Sequence, residues 1–192
     1  MYEKVTVPEG VSGDYRIERF EVPEKYIGKW RDEMMGREIP AGTYTRLLGN
    51  GTVMMSDTPS EMRDHRLFIV WAEGKILIAG LGIGFVLNEV AKNEKVSSVT
   101  VIEKSQEVID LVWEHYKRQY GDKINLIHGD VFDSKQLKGM KFDMGWFDIW
   151  DNICGDNVED FKKLRKAYSR MIVKDRRFWC EPECIRANRG RR

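Results

Sequence analysis

The stretch Lys75–Glu103, KILIAGLGIGFVLNEVAKNEKVSSVTVIE, decides the fold. Ile76–Ala79 is a short apolar run without alternation, as expected of a strand buried on both faces of a parallel sheet. Gly80, Gly82 and Gly84 follow at once, then a helix from about Phe85 to Lys92, then a second strand at Val99–Ile102 ending on Glu103. Glycines at such a turn let the backbone approach a ligand closely, and the following helix presents its N-terminal dipole there. An acid at the tip of the second strand, just over twenty positions beyond Gly80, suits a ribose diol, because a carboxylate accepts from both hydroxyls. The unit reads as a site for a nucleoside-containing ligand.

The glycine spacing narrows the ligand. A dinucleotide fingerprint, G-x-G-x-x-G, would place its third glycine at Phe85, where a bulky ring keeps a pyrophosphate away. The G-x-G-x-G pattern argues against NAD and for an adenosyl ligand without a pyrophosphate. Outward from this unit, Ser105 caps a helix with Val108, Ile109, Val112 and Tyr116 on one face, and Lys123–His128 is a third strand. Gly129-Asp130-Val131-Phe132 follows it, and Asp130 reads either as an adenine contact or as a turn residue. The fourth strand, Phe142–Phe147, delivers Asp148-Ile149-Trp150-Asp151 beside the glycine turn, since ligands bind where the winding of an open sheet reverses. Two carboxylates three apart on a loop suit a cation or a general base, or cap the next helix. An amphipathic helix over Val158–Val173 and a fifth strand at Arg177–Glu181 complete the sheet.

Upstream, residues 1–56 read as a β-rich appendage. Tyr15–Val22 alternates as a strand, and Glu24–Met35 carries Tyr26, Ile27, Trp30 and Met34 at helical spacing. Thr43–Leu48 and Thr52–Met55 flank Gly49-Asn50-Gly51, a hairpin signal because Asn-Gly tolerates positive φ. A helix begins at Asp57-Thr58-Pro59-Ser60-Glu61, where Thr58 can cap, Pro59 suits the first helical position and Glu61 completes a capping box. Asp57 and Glu61 read as helix caps or as ligand contacts, and the helix carries Asp64 and His65 on its way to about Trp71. Residues 57–182 then form the ligand-binding domain, and 183–192 a solvated, disordered basic tail.

Composition bounds the function classes. The net charge is +1 with 33% charged residues of mixed sign over 192 residues, which gives no reason to expect nucleic acid or an anionic membrane as a partner. No run approaches a membrane span, and the first twenty residues lack a signal-peptide apolar core. Three cysteines make no disulfide framework, and Cys180 and Cys184 lack the second pair that a zinc site needs, so no metal is expected. The expectation is a soluble cytoplasmic protein.

Taken together, Gly-Asn-Gly-Thr-Val with Ser56-Asp57 and Glu61, ILIAGLGIGFVLNEV, VTVIEKSQEVIDL, HGDVF and FDMGWFDIWD resemble class I S-adenosylmethionine (SAM)-dependent methyltransferases, and within them the spermidine synthase group. The resemblance covers roughly residues 48–173. It implies a Rossmann-like, doubly wound, mostly parallel α/β sheet with strand order 3-2-1-4-5. It implies that Gly80, Gly82 and Gly84 line the methionine part, Glu103 the ribose, and Asp130 and Val131 the adenine, with Leu81, Lys104 and Asp148 also at the cofactor. Asp148 and Asp151 match the D-x-x-D pair that holds and deprotonates an amine acceptor, and His65 falls near a ligand-contacting position.

The departures are specific. Spermidine synthases carry an acid within the glycine turn, where Ile83 stands, and methyltransferases often carry one two positions before the first glycine, where Ile78 stands. The proline-rich gate after Asp151 is missing, and five strands replace seven. No N-P-P-Y-type loop follows strand four, so amino methylation of a nucleobase is not indicated. The leading expectation is a small SAM-dependent methyltransferase with Asp148 positioning or deprotonating a small-molecule acceptor, Asp151 or His65 assisting, and a homodimer covering the open sheet edge. The alternatives are an aminopropyltransferase using decarboxylated SAM, and a catalytically silent nucleoside-binding or interaction protein.

Overall fold

The computed structural model describes residues 3–190 except 27 and 35. The described residues form two sheets. The first is antiparallel, β1 (Gly10–Ser12), β2 (Tyr15–Val22), β3 (Gly42–Gly49) and β4 (Thr52–Ser56), paired in that order. The β3–β4 turn runs through Asn50 and Gly51 at φ +52° and +76°, the positive pair that makes Asn-Gly a hairpin sequence. Between β2 and β3 lies α1 (Lys29–Met34), shorter than the helix expected over Glu24–Met35. Trp30 and Met34 are 68% and 80% exposed, so its apolar spacing does not face the core, and Ile27 lies outside the described residues.

The second sheet is parallel throughout. Its strands are β5 (Gly74–Ala79), β6 (Val96–Glu103), β7 (Ile124–His128), β8 (Phe142–Phe147) and β9 (Ile172–Phe178), in the order β7-β6-β5-β8-β9. That is the 3-2-1-4-5 winding of a class I methyltransferase-like Rossmann fold. The connecting helices are α3 (Phe85–Lys92), α4 (Gln106–Tyr120) and α5 (Asn157–Ala167). Ile76, Leu77, Ile78 and Ala79 are all buried, which is why that run does not alternate.

The C-terminal third differs from the sequence expectation. α5 ends at Ala167, and the β-branched pair Ile172-Val173 opens β9 five residues earlier than the strand expected at Arg177. Residues 181–189, most of them expected in the disordered tail, form α6 (Glu181–Arg189). Two contacts hold α6: Cys184 is fully buried against α5, and Arg165 forks onto both Glu181 oxygens at 2.7 and 2.9 Å. β9 closes one end of the sheet order and blunts it with Lys174, Asp175, Arg176 and Arg177. Among the described residues no helix is long and apolar enough to cross a membrane.

The antiparallel sheet is tied to the parallel one through α2 (Pro59–Trp71). Asp57, fully buried just before it, accepts from Thr45 N–H at 2.6 Å and Val5 N–H at 3.2 Å. The expected capping box is not closed: Thr58 turns its hydroxyl to Ser56 and Ser60, and Glu61 accepts from the backbone N–H of Ser56 instead. Ile17, Leu47, Val5 and Val7 join Val108, Val112 and Ile83 in one core, so the N-terminal layer packs along α4 and over the glycine turn.

The turn itself is sterically specified. Gly84 caps α3 at φ +76°, and a Cβ there would sit 2.0 Å from the Tyr116 ring, whose hydroxyl donates to Ile83 O at 3.1 Å. Gly84→Ala is expected to lose about 2–4 kcal/mol in urea unfolding, from left-handed strain and overpacking together. Gly51→Ala, with the same φ and nothing within 4 Å, is expected to lose only about 1 kcal/mol. Equal losses would contradict the steric account.

Candidate functional site

A cavity of about 730 Å³ opens over the carboxyl ends of β5, β6 and β8, with β3 and β4 as its opposite wall. Its floor is built by close approach. Gly80, at φ +94°, lies so near the Asp148 carbonyl that a Cβ would fall 2.0 Å from the oxygen, while Asp148 N–H donates to Ala79 O at 2.9 Å. The tips of β5 and β8 are thereby locked together, and the Asp148 side chain is delivered beside the glycine turn. Gly82, at φ +52°, faces β4 in the same way, with the Met55 sulfur 2.4 Å from where a Cβ would be.

Glu103 joins the two ends of the nucleoside unit. One carboxylate oxygen accepts from Leu81 N–H at 2.7 Å and the other from Ser105 N–H at 2.8 Å. Each oxygen keeps a lone pair that these contacts leave unused, and Glu103 lines the cavity. Asp130 is bound differently. It accepts from Phe132 N–H at 2.9 Å and from the exposed Lys104 ammonium at 2.9 Å, contacts that hold its carboxyl below the usual range, the backbone contact most strongly. The turn reading of Asp130 is therefore present in the structure alongside its place in the cavity wall. Val131 lines the wall next to it, its carbonyl held by Tyr168 hydroxyl at 2.8 Å, and Phe132 stands 44% exposed at the rim.

At the other end stand Asp148, Asp151, His65 and Glu61. The two aspartates are unlike: Asp151 is exposed, whereas the Asp148 side chain is only 17% exposed. Burial pushes Asp148 up to about 8, with the Glu61 carboxylate adding to the rise. His65, on α2, is 2% exposed, and burial drives its ring down to about 3, so it is neutral at ordinary pH. Its Nδ1 is 3.8 Å from Asp148 Oδ2. Burial also raises Glu61, against the pull of its Ser56 contacts.

Of the residues singled out in the sequence, Gly80, Leu81, Gly82, Glu103, Lys104, Asp130, Val131, Asp148, Asp151 and His65 all line this one cavity. Gly84 does not; it packs under the turn against Tyr116. Ile78 and Ile83 are buried in the core behind the cavity. The wall supplied by Tyr15, Leu47, Val53, Met54 and Met55 was not visible in the sequence, because nothing local says that a hairpin folds back over a turn thirty residues later. Trp146 was missed as well, although an indole in a buried strand, two residues before an acid, is a signal. Among the described residues no three His, Cys, Asp or Glu side chains converge as a metal cluster.

Charge around the cavity is one-sided. Among the described residues Asp14, Glu103, Glu107, Asp130 and Asp151 line it as carboxylates, with Glu61 and Asp148 biased toward their neutral forms by burial, against a single lysine, Lys104. Such a lining attracts a cationic ligand.

Comparison with known structures gives the fold a wider setting. The chain is similar to a spermidine synthase solved in complex with the transition state analogue AdoDATO, with a TM-score of 0.53 and 20% identity over 86% of this chain and 54% of that one. For spermidine synthase from Thermotoga maritima the TM-score is 0.49, again at 20% identity, over 86% and 52%. For an O-methyltransferase from Bacillus cereus in complex with SAH it is 0.42 at 21% identity, over 55% and 50%. The chain thus spans about half the length of the spermidine synthase chains it matches. No protein-family model matches, and no curated protein sequence does. The likeness shows a class I SAM-dependent methyltransferase-like fold.

The buried carboxyl has a measurable consequence. Asp148 lies above its unfolded value, so its share of stability is full below about pH 4 and is lost as pH rises through about 8. Asp148→Asn removes that loss, while the opposite, acid-side loss from His65 is common to both proteins. The stability of the variant relative to wild type is expected to grow from pH 4 to 8 and to level off above, by urea unfolding. A difference that does not change with pH would contradict burial as the cause.

Proposed function

We propose that this chain is a SAM-dependent methyltransferase acting on a nucleophilic small-molecule acceptor. The observation that carries the reading is Glu103: a carboxylate at a strand tip, fixed by Leu81 and Ser105 N–H groups and facing an acid-rich cavity beside a glycine turn. Its free lone pairs suit a ribose diol, and the surplus of carboxylates suits a sulfonium. The backbone of Gly80, Leu81 and Gly82 would hold the methionine part, and Asp130 and Val131 the adenine. When bound, SAM supplies a methyl group activated by the sulfonium. The chain's own contribution is to hold the acceptor in line, which supplies most of what such a transfer needs. Asp148 receives the acceptor's proton, and His65, neutral and locked in place, lies beside it.

The choice of methyl over aminopropyl rests on Ile83. Its side chain is buried in apolar surroundings, so the glycine turn offers no carboxylate to the lone ammonium of decarboxylated SAM. Intact SAM carries its own carboxylate beside that ammonium. Aminopropyl transfer is the second reading. It is favoured by Asp148 and Asp151 lining one end of the cavity, and by a similarity to the spermidine synthase–AdoDATO complex that extends over 86% of this chain.

Product analysis separates the two. Incubated with SAM and a panel of hydroxyl and amine acceptors, the protein is expected to release S-adenosylhomocysteine, and Asp148→Asn to slow release by about a hundredfold or more. Methylthioadenosine from decarboxylated SAM would move the assignment to aminopropyl transfer. Neither product from either donor would overturn both readings.

A further inference from the structure

Two polar atoms stand out. Among the described residues, only His65 Nδ1 and Trp146 Nε1 are buried side-chain nitrogens or oxygens without a hydrogen-bond partner. A buried donor left unpaired is costly, and an apolar side chain in either place would not carry that cost. They come from different elements, α2 and β8, yet both belong to residues lining the cavity that Asp148 also lines. His65 Nδ1 is 3.8 Å from Asp148 Oδ2, and the Trp146 indole N–H acts on the same carboxyl without closing a hydrogen bond.

The surroundings leave neither ring free to turn away. Trp146 stacks on Phe68 with centroids 5.2 Å apart and meets His65 edge-on at 5.5 Å, while His65 is also held against Phe85 at 5.7 Å. The main chain at Asp148 is equally fixed, by its N–H on Ala79 O and by the contact with Gly80. What can move is the Asp148 side chain.

We infer that Trp146 and His65 are positioning residues for Asp148: when the carboxyl ionises, one oxygen accepts from Trp146 Nε1–H and the other from His65 Nδ1–H. The tautomer with hydrogen on Nδ1 is the one that this arrangement selects. The two donors hold the carboxylate in one orientation and stabilise its charge against the other groups that face it. Those are Glu61 and Asp64 on α2, which both disfavour ionisation, with Asp64 partly neutralised by Arg37 at 2.9 Å. Asp151 on the same loop and the buried thiol of Cys180, at the start of α6, complete the set. With its orientation fixed, Asp148 keeps lone pairs on the cavity side for the acceptor's proton. The inference rests on the proposed role of Asp148 as proton acceptor, but its test needs no ligand and no turnover.

That test is nuclear magnetic resonance on the intact chain, with aspartate carboxyl carbons labelled and Asp148 assigned from Asp148→Asn. Trp146→Phe keeps an aromatic ring beside Phe68 and removes the N–H together with part of the indole's volume. The midpoint of the Asp148 titration is expected to rise by about one pH unit in this variant, the size of one hydrogen bond to a charged group. An unchanged midpoint would overturn the inference. Should Trp146→Phe not fold, the wild-type indole resonance of Trp146 gives an independent readout. It is expected to shift downfield with the same midpoint as Asp148, and an indole signal that ignores that titration would overturn the inference equally. If the titrations behave as expected while no product forms from either donor, the positioning stands and the transferase reading falls.

Discussion

The site depends on the contact between Gly80 and the Asp148 carbonyl. A Cβ at position 80 would fall 2.0 Å from that oxygen, so the tips of β5 and β8 can meet only because the first residue of the turn is glycine. The hydrogen bond from Asp148 N–H to Ala79 O then extends the ladder one residue past β8 and sets the direction in which the carboxyl leaves the sheet. Without that approach the carboxyl would stand away from the turn, and the cavity would lose its two-ended character. Glu103 performs the matching task on the other side, joining β6 to the turn through Leu81 N–H. Three strand tips are thus fixed around one loop by two backbone contacts and one carboxylate.

Much of this was legible in the sequence because it is local. The non-alternating run Ile76–Ala79, the glycines after it and Glu103 at the next strand tip each follow from short-range rules, and their order fixes the winding of the sheet. Errors fell where local signals compete. Met171 lies on the apolar stripe of the preceding helix, so the sequence carries that helix through residues that the structure gives to β9. Trp30 and Met34 repeat at helical spacing yet stay exposed. The basic composition at the C-terminus hides Cys184, whose burial, with the Arg165–Glu181 fork, gives α6 a reason to form.

The larger omission was long-range. Asp57 reads as a capping residue, but it is fully buried and receives the N–H groups of Thr45 and Val5, joining the antiparallel sheet to the start of α2. Through that joint the hairpin folds over the glycine turn, Met55 covers Gly82, and the crevice at the sheet edge gains a second wall while staying open to solvent. The same joint aligns α2 so that His65 reaches Asp148. No single segment announces this, because the partners lie 12 and 52 positions from Asp57. Burial also explains the electrostatics: Asp148 is raised and His65 is neutral because the N-terminal layer and α2 keep water from them.

The central claim is that the Glu103 end of the cavity binds the ribose of an adenosyl ligand. Calorimetric titration of the unaltered protein with methylthioadenosine and with its 2′-deoxy analogue tests this without disturbing the turn that Glu103 supports. The account predicts that methylthioadenosine binds and that the 2′-deoxy analogue binds at least about tenfold more weakly, the loss of one charge-assisted hydrogen bond. Equal affinity for the two, or no binding of either, would contradict it.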